Sequence, residues 1–205
     1  MLSIKASGGF TLIELLVTMS LAAILLSLGA PALSTYLQNS KLGASTSVLY
    51  SAIQNARAEA IRTNARAQFV FTDTPVSTAN LGNALAPAVA GRNWVVRVDQ
   101  GGGNMLAVDS KDGGEGESNT TVPAVQFAGA AIPPTPAFDG TITFDGLGAT
   151  VPAGASYTIA ITNPAAGVCV SALGPIRCRQ ITVRAGGQIS ACDPAAPPGD
   201  SRACN

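Results

Sequence analysis

Histidine is absent from this 205-residue chain, charged residues make up only 12% of it, and aromatic residues only 5%. Without histidine the chain lacks the commonest proton-transfer side chain and the commonest metal ligand. There is no G-x-S-x-G, no H-E-x-x-H and no Walker sequence. Gly101-Gly102-Gly103 reads as a turn between strands, because neither a helix pattern nor a Lys-Ser/Thr pair follows it. Asp and Glu are scattered, with no pair in an acid–base context, so the expectation is a non-enzyme without cofactor or metal. The 12 basic and 12 acidic side chains give a net charge of +0, so no global field gathers nucleic acid. Cysteine is missing before Cys169, which excludes a lipid-modified cysteine near the N-terminus.

What the chain does have is a long uncharged apolar run. From Phe10 to Leu37 the only formal charge is Glu14. About 20 apolar residues span a bilayer, and a lone carboxylate in such a segment costs roughly 2.5–3.5 kcal/mol on insertion scales, so it calls for a partner or a function. A secretory signal peptide is one alternative, with Ser27-Leu28-Gly29-Ala30 as its junction. Leu28 stands where a small residue is wanted, Pro31 would follow the cut, and Glu14 is out of place in a signal core. A plain membrane anchor accounts for the length but not for Glu14 or for Gly8-Gly9. Lys5 on the short flank favours a cytoplasmic N-terminus and a soluble part on the far side of the membrane.

The run continues into a second kind of helix. To about Ala30 it is apolar all round, and Pro31 can kink it or loosen one turn. Beyond, Leu42, Leu49, Ile53, Ala56 and Ala60 form a helical stripe that would face a domain, with Lys41, Arg57, Glu59, Arg62 and Arg66 off it. Arg57, Glu59 and Arg62 read best as a solvated face, with Glu59 to Arg62 an i,i+3 pair. At ~1.5 Å per residue, Phe10 to Arg66 would extend about 85 Å, half span and half domain spine. Such a helix suits a filament subunit.

Gly8-Gly9-Phe10-Thr11-Leu12-Ile13-Glu14 resembles the leader-peptidase site of type IV pilins and type II secretion pseudopilins. The resemblance implies a leader of residues 1–9 cut after Gly9, N-methylation of Phe10, and assembly through Phe10 and Glu14, with Pro31 a further assembly candidate. In that family the Glu is thought to pair with the N-terminal amine of a neighbouring subunit. The stretch Leu49–Asn64, with Ala56-Arg57-Ala58-Glu59-Ala60-Ile61-Arg62, resembles the FimT/FimU and GspH group of minor pilins and pseudopilins. Asn93–Asp99, with Trp94, and Ile142–Gly148 match that group more loosely. The implied fold class is α+β and pilin-like: a long N-terminal helix (10–66, membrane-spanning over about 10–30) packed on a small antiparallel β-sheet head (67–205).

The head reads as short strands at Gln68–Asp73, Asn93–Asp99, Met105–Asp109, Val122–Phe127, Thr141–Asp145, Tyr157–Thr162, Val168–Ser171 and Cys178–Arg184. Between them, Thr74–Gly91, Lys111–Asn119 and Ala128–Asp139 read as irregular connections. Cys169, Cys178, Cys192 and Cys204 all lie in a tail of residues 169–205. An even number clustered in an exported domain reads as two disulfides. Three connectivities are open; Cys169–Cys178 across Leu173-Gly174-Pro175 and Cys192–Cys204 around the Pro-rich loop Asp193–Asp200 are favoured. A zinc site fits poorly, lacking C-x₂-C spacing and histidine.

The expected function is therefore a minor pilin of a type IV pilus, in the initiating or tip complex, with other pilins, a prepilin peptidase and an inner-membrane platform as partners. It would sit single-pass in the bacterial inner membrane with its head in the periplasm before reaching the pilus. One alternative is a GspH-like pseudopilin of type II secretion. The other is a DNA-binding minor pilin. Some FimT-like relatives bind DNA through a C-terminal G-R-x-R element, but here Gly187-Gln188-Ile189-Ser190 lacks both arginines. Arg177, Arg179 and Arg184, just upstream, are the remaining candidates for phosphate contact.

Overall fold

In the computed structural model of the protein, the described residues are 10–77, 81–91, 93–112, 126–132 and 137–204. The chain divides into two compact units, Met1–Leu37 and Gln38–Asn205. Helix α1, Leu12–Thr63, supplies the regular structure of the first unit and the α-helix of the second. Pro31 lies inside α1 without ending it. It lacks an N–H for the Ser27 carbonyl, and its own carbonyl accepts an added bond from the Thr35 hydroxyl at 3.1 Å.

Among the described residues of the first unit every large apolar side chain is exposed, including Leu12, Ile13, Met19, Leu25 and Leu33. An 18-residue window there reaches a mean hydropathy of 2.2 with none of it buried. Such a surface is unfavourable in water at about 25 cal/mol per Å² and neutral in lipid or against another apolar helix.

The second unit wraps two antiparallel sheets on the later turns of α1. Its strands are β1 (Ala67–Thr72), β2 (Ala90–Gly91), β3 (Asn93–Asp99), β4 (Met105–Lys111), β5 (Gln126–Ile132), β6 (Thr141–Phe144), β7 (Thr150–Val151), β8 (Ser156–Thr162), β9 (Arg179–Val183) and β10 (Ile189–Cys192). One sheet has the order β4-β3-β1-β6-β7 and the other β10-β9-β8-β5-β2. The helical stripe Leu42, Leu49, Ile53, Ala56 and Ala60 is fully buried. It meets Phe69, Phe71, Trp94, Ile142 and Phe144 from the first sheet and Ile159, Ile161 and Ile181 from the second. Alternation along β1 sends Phe69 and Phe71 to the helix and Val70 to the opposite face, where Val95 and Leu85 cover it.

Several sequence expectations fall differently. Val168–Ser171 is not a strand: a 3₁₀ turn occupies Val170–Ala172, and pairing is limited to a Cys169–Ile176 bridge. Proline and glycine at Gly174-Pro175 close that segment too tightly for a ladder. The connection placed at Ala128–Asp139 holds most of β5, which pairs along its whole length with β8. Its sequence, Gln-Phe-Ala-Gly-Ala-Ala-Ile, has little β propensity; tertiary packing selects the strand. At Gly129 a Cβ would overlap the Phe138 ring, so glycine there admits an aromatic side chain to the core. The strand expected at Val122–Phe127 lies mostly outside the described residues.

Candidate assembly and docking surfaces

The candidate processing residue Gly9 lies outside the described residues, and Phe10, the first described one, is 85% exposed. The chain turns helical at Thr11. Its backbone N–H and hydroxyl both donate to Glu14 Oε2, at 3.0 and 2.9 Å. The Glu14 N–H in turn donates to the Thr11 hydroxyl at 3.3 Å. This is a reciprocal capping box, satisfying otherwise orphaned donors of the first turn. Thr11-x-x-Glu14 before an apolar run is its signature and was legible in the sequence, although the acid alone drew attention. Among the described residues Glu14 Oε1 has no partner, and a carboxylate can accept about four bonds. The box orients the acid and leaves one oxygen for an incoming cation.

The cysteines pair as Cys169–Cys178 and Cys192–Cys204, with Cα separations of 5.4 and 5.0 Å. The second bridge closes a loop whose first residue, Asp193, is only 1% exposed. Asp193 Oδ2 receives Arg179 at 3.1 Å and Arg177 at 3.5 Å. Its Oδ1 accepts the Ala195 N–H at 2.9 Å, so the buried carboxylate is paired and hydrogen-bonded on both oxygens. Arg184 is exposed at the β9–β10 turn, at the other end of β9 from Arg179. The three arginines therefore do not form one patch, and two of them serve a carboxylate. At the loop's far side Asp200 accepts both Nε and Nη2 of Arg202, which holds its carboxyl at about 2, below the usual range.

Two other arginines have roles that their sequence context did not reveal. Arg57, expected on a solvated face, is half-buried and donates from Nε to the Gly148 carbonyl at 3.0 Å. It ties the helix to the β6–β7 turn, where Asp145 Oδ1 accepts the Leu147 and Ala149 N–H groups. Arg97 lies under the Leu81–Leu85 segment and donates to Gln68 Oε1 at 2.8 Å and the Gly82 carbonyl at 2.6 Å. Burial pushes its pKa down, with Asp139 acting against that. Glu59 and Arg62 do form the expected exposed pair, at 2.6 Å.

Residues 45–187 match the model of the family described as type II transport protein GspH. Residues 4–30 match that of the prokaryotic N-terminal methylation motif. No curated protein matches the chain. Among solved structures, the type IV minor pilin FimU of Pseudomonas aeruginosa is similar at 15% identity, with 80% of this chain and 97% of that one covered and a TM-score of 0.49. The minor pseudopilin EpsH of the Vibrio cholerae type 2 secretion system is similar at 10% identity, covering 76% of this chain and 99% of that one, with a TM-score of 0.46. Because the family match takes in most of the head and most of the buried part of its helix, this chain belongs to the GspH family, whose members are structural subunits of the minor pilin and pseudopilin class.

Proposed function

We propose that this chain is a minor subunit of a type IV pilus. A prepilin peptidase cuts after Gly9 and methylates the amine of Phe10. The apolar first half of α1 holds the subunit in the bacterial inner membrane, its head in the periplasm, until the assembly platform moves it into the initiating or tip complex. One observation carries this reading: a capped, exposed apolar helix presents a single carboxylate with an oxygen left over, beside the new N-terminus. Pairing that carboxylate with a neighbour's methylated, still cationic amine would neutralise both in a low-dielectric bundle and select the register of the incoming helix.

Two substitutions separate the charge from the cap. Glu14→Gln keeps the capping box, since Gln serves that position as Glu does, but removes the charge; Glu14→Ala removes both. The expected outcome is normal cleavage and failed incorporation into pili for both variants. Normal incorporation of Glu14→Gln would refute the charge role.

The family description favours a second reading, a pseudopilin of type II secretion built on the same helix and head. Deleting the gene decides between them: loss of pili with secretion intact supports the pilus, the reverse supports the secretion system. DNA capture is the least supported reading, because Arg177 and Arg179 already share a buried acid.

A further inference from the structure

Burying a guanidinium is unfavourable unless its charge is met. Arg97 is only 9% exposed, yet among the described residues it forms no ion pair. Asp139 acts on it through its field alone, from an exposed position. Holding Gln68 and the Gly82 carbonyl occupies Nε and one N–H of Nη1, two of the five N–H groups that a guanidinium carries. Nη2 has no partner among the described residues. It is not sealed off either, because the one sealed side-chain polar atom without a partner there is Ser45 Oγ. Arg97 lines a cleft of about 300 Å³, and Nη2 is the part of it left for a ligand.

The fold lines this cleft with further unused donors. Phe69, Val96 and Ile142 point to the helix, so alternation turns Gln68, Arg97, Thr141 and Thr143 to the opposite face of the first sheet. There Arg97, Gln68 and Thr143 stand directly opposite one another across β3, β1 and β6. Neighbours in such a row have Cβ atoms about 4.5–5.5 Å apart. The Gln68 amide Nε2 and the hydroxyls of Thr141 and Thr143 have no side-chain hydrogen bond among the described residues. Tyr157 lines the cleft from the second sheet, its hydroxyl donating to the Val151 carbonyl at a long 3.3 Å. Burial, and Asp139 after it, push its pKa up, so it stays a neutral donor. Ala131 and Pro152 add an apolar wall. A cation with a free fork, neutral donors and a short apolar wall suit a carboxylate on a small apolar stem. Asp139, whose Oδ1 accepts the Thr141 N–H, also lines the cleft and opposes a second negative charge on the ligand.

We infer that this cleft is a binding site for a singly charged carboxylate on a short apolar stem, either a small organic acid or the C-terminal group of a polypeptide. The carboxylate lies over Gln68, accepting from the free N–H groups of Arg97 on one side and from the Thr143 hydroxyl on the other. The stem packs towards Ala131 and Pro152. All of these residues belong to the second unit, so the site is independent of the machine that the subunit serves.

Titrating butyrate into the full-length chain in detergent, with isotope-labelled arginine side chains, reads the site by NMR at the guanidinium itself. The inference expects the Arg97 resonances to shift saturably with butyrate and not with butyramide, its uncharged counterpart. Thr143→Val keeps the side chain's shape and loses one hydrogen bond to a charged group, so it should weaken binding about tenfold. Arg97→Lys keeps the charge but not the fork and should weaken binding further, as followed at the threonine methyl resonances. Because Arg97 also holds the Leu81–Leu85 segment, its melting curve is taken alongside, and Thr143→Val decides the matter if Arg97→Lys unfolds. No saturable shift, or an equal one with butyramide, overturns the inference. A site that takes inorganic phosphate as well as butyrate also overturns it, being a general anion site. An N-acetylated tripeptide with a free C-terminus, set against its amidated form, separates the two sources. Binding of the free-terminus peptide alongside butyrate supports a polypeptide end, and binding of butyrate alone supports a small acid.

Discussion

Two adjacent glycines in the β9–β10 turn should respond oppositely to the same substitution. Gly187 has φ 74°, and a Cβ there would overlap the Gly148 carbonyl oxygen and stand 2.8 Å from Arg57 Nε. Gly187→Ala therefore strikes the point where the helix, the β6–β7 turn and the β9–β10 turn meet. The left-handed backbone costs alanine about 1–2 kcal/mol. Displacing the Gly148 carbonyl breaks its bond from the Arg57 guanidinium, and a bond to a charged group is worth about 1.5–3 kcal/mol. Because Arg57 is only half-buried the lower end applies, giving a total of about 3 kcal/mol. For a domain of this size each kcal/mol moves Tm by about 2–4 °C, so the expected loss is on the order of 6–12 °C. Gly186 has no positive φ, and a Cβ there meets nothing within 4 Å, so Gly186→Ala should change Tm by less than about 2 °C. Thermal unfolding of the two full-length variants in detergent, followed by far-UV circular dichroism, measures both. Equal melting temperatures would refute the three-way junction at Arg57.

The remaining predictions concern charge. Double substitution Arg177→Ala with Arg179→Ala should leave DNA binding unchanged and destabilise the head by about 3 kcal/mol, because Asp193 is then a buried carboxylate without a counter-charge; a gel-shift series beside a urea titration reads both, and a large loss of DNA affinity would revive the capture reading. Asp200 has its carboxyl lowered to about 2 by Arg202, so it stabilises the folded state above about pH 4, and that contribution disappears as pH falls towards 2. Asp200→Asn should accordingly be less stable than the parent at pH 6 and indistinguishable from it near pH 2, as melting curves across that range would show.

The helix was legible because its information is local and periodic. Leu42, Leu49, Ile53, Ala56 and Ala60 advertise one buried face by spacing alone, and all five are buried. The Trp94 strand and the Ile142–Phe144 strand were legible for the same reason, being short runs of β-formers between turn residues. β5 was not, since Ala128, Gly129, Ala130 and Ala131 carry no strand preference and follow the pairing with β8. Arg57 was not either. Its partner is a carbonyl 91 residues away, and nothing in a helix pattern distinguishes a guanidinium that reaches a turn from one in water. Asp193 sat in a Pro-rich loop read only as enclosed by Cys192–Cys204, and folding of β9 against β10 brings two arginines to it. Of the assembly surface, the acid and its apolar setting were plain, and the Thr11-x-x-Glu14 spacing already carried the capping box that the backbone shows.

The most direct measurement is intact mass and N-terminal sequencing of the protein purified from its native membrane. A chain beginning with N-methylated Phe10 is the predicted result, and it would join the exposed helix to the processing and assembly proposed for it. A chain beginning at Met1, or near Pro31, would contradict that, leaving an ordinary anchor or a cleaved signal in place of a filament subunit's helix.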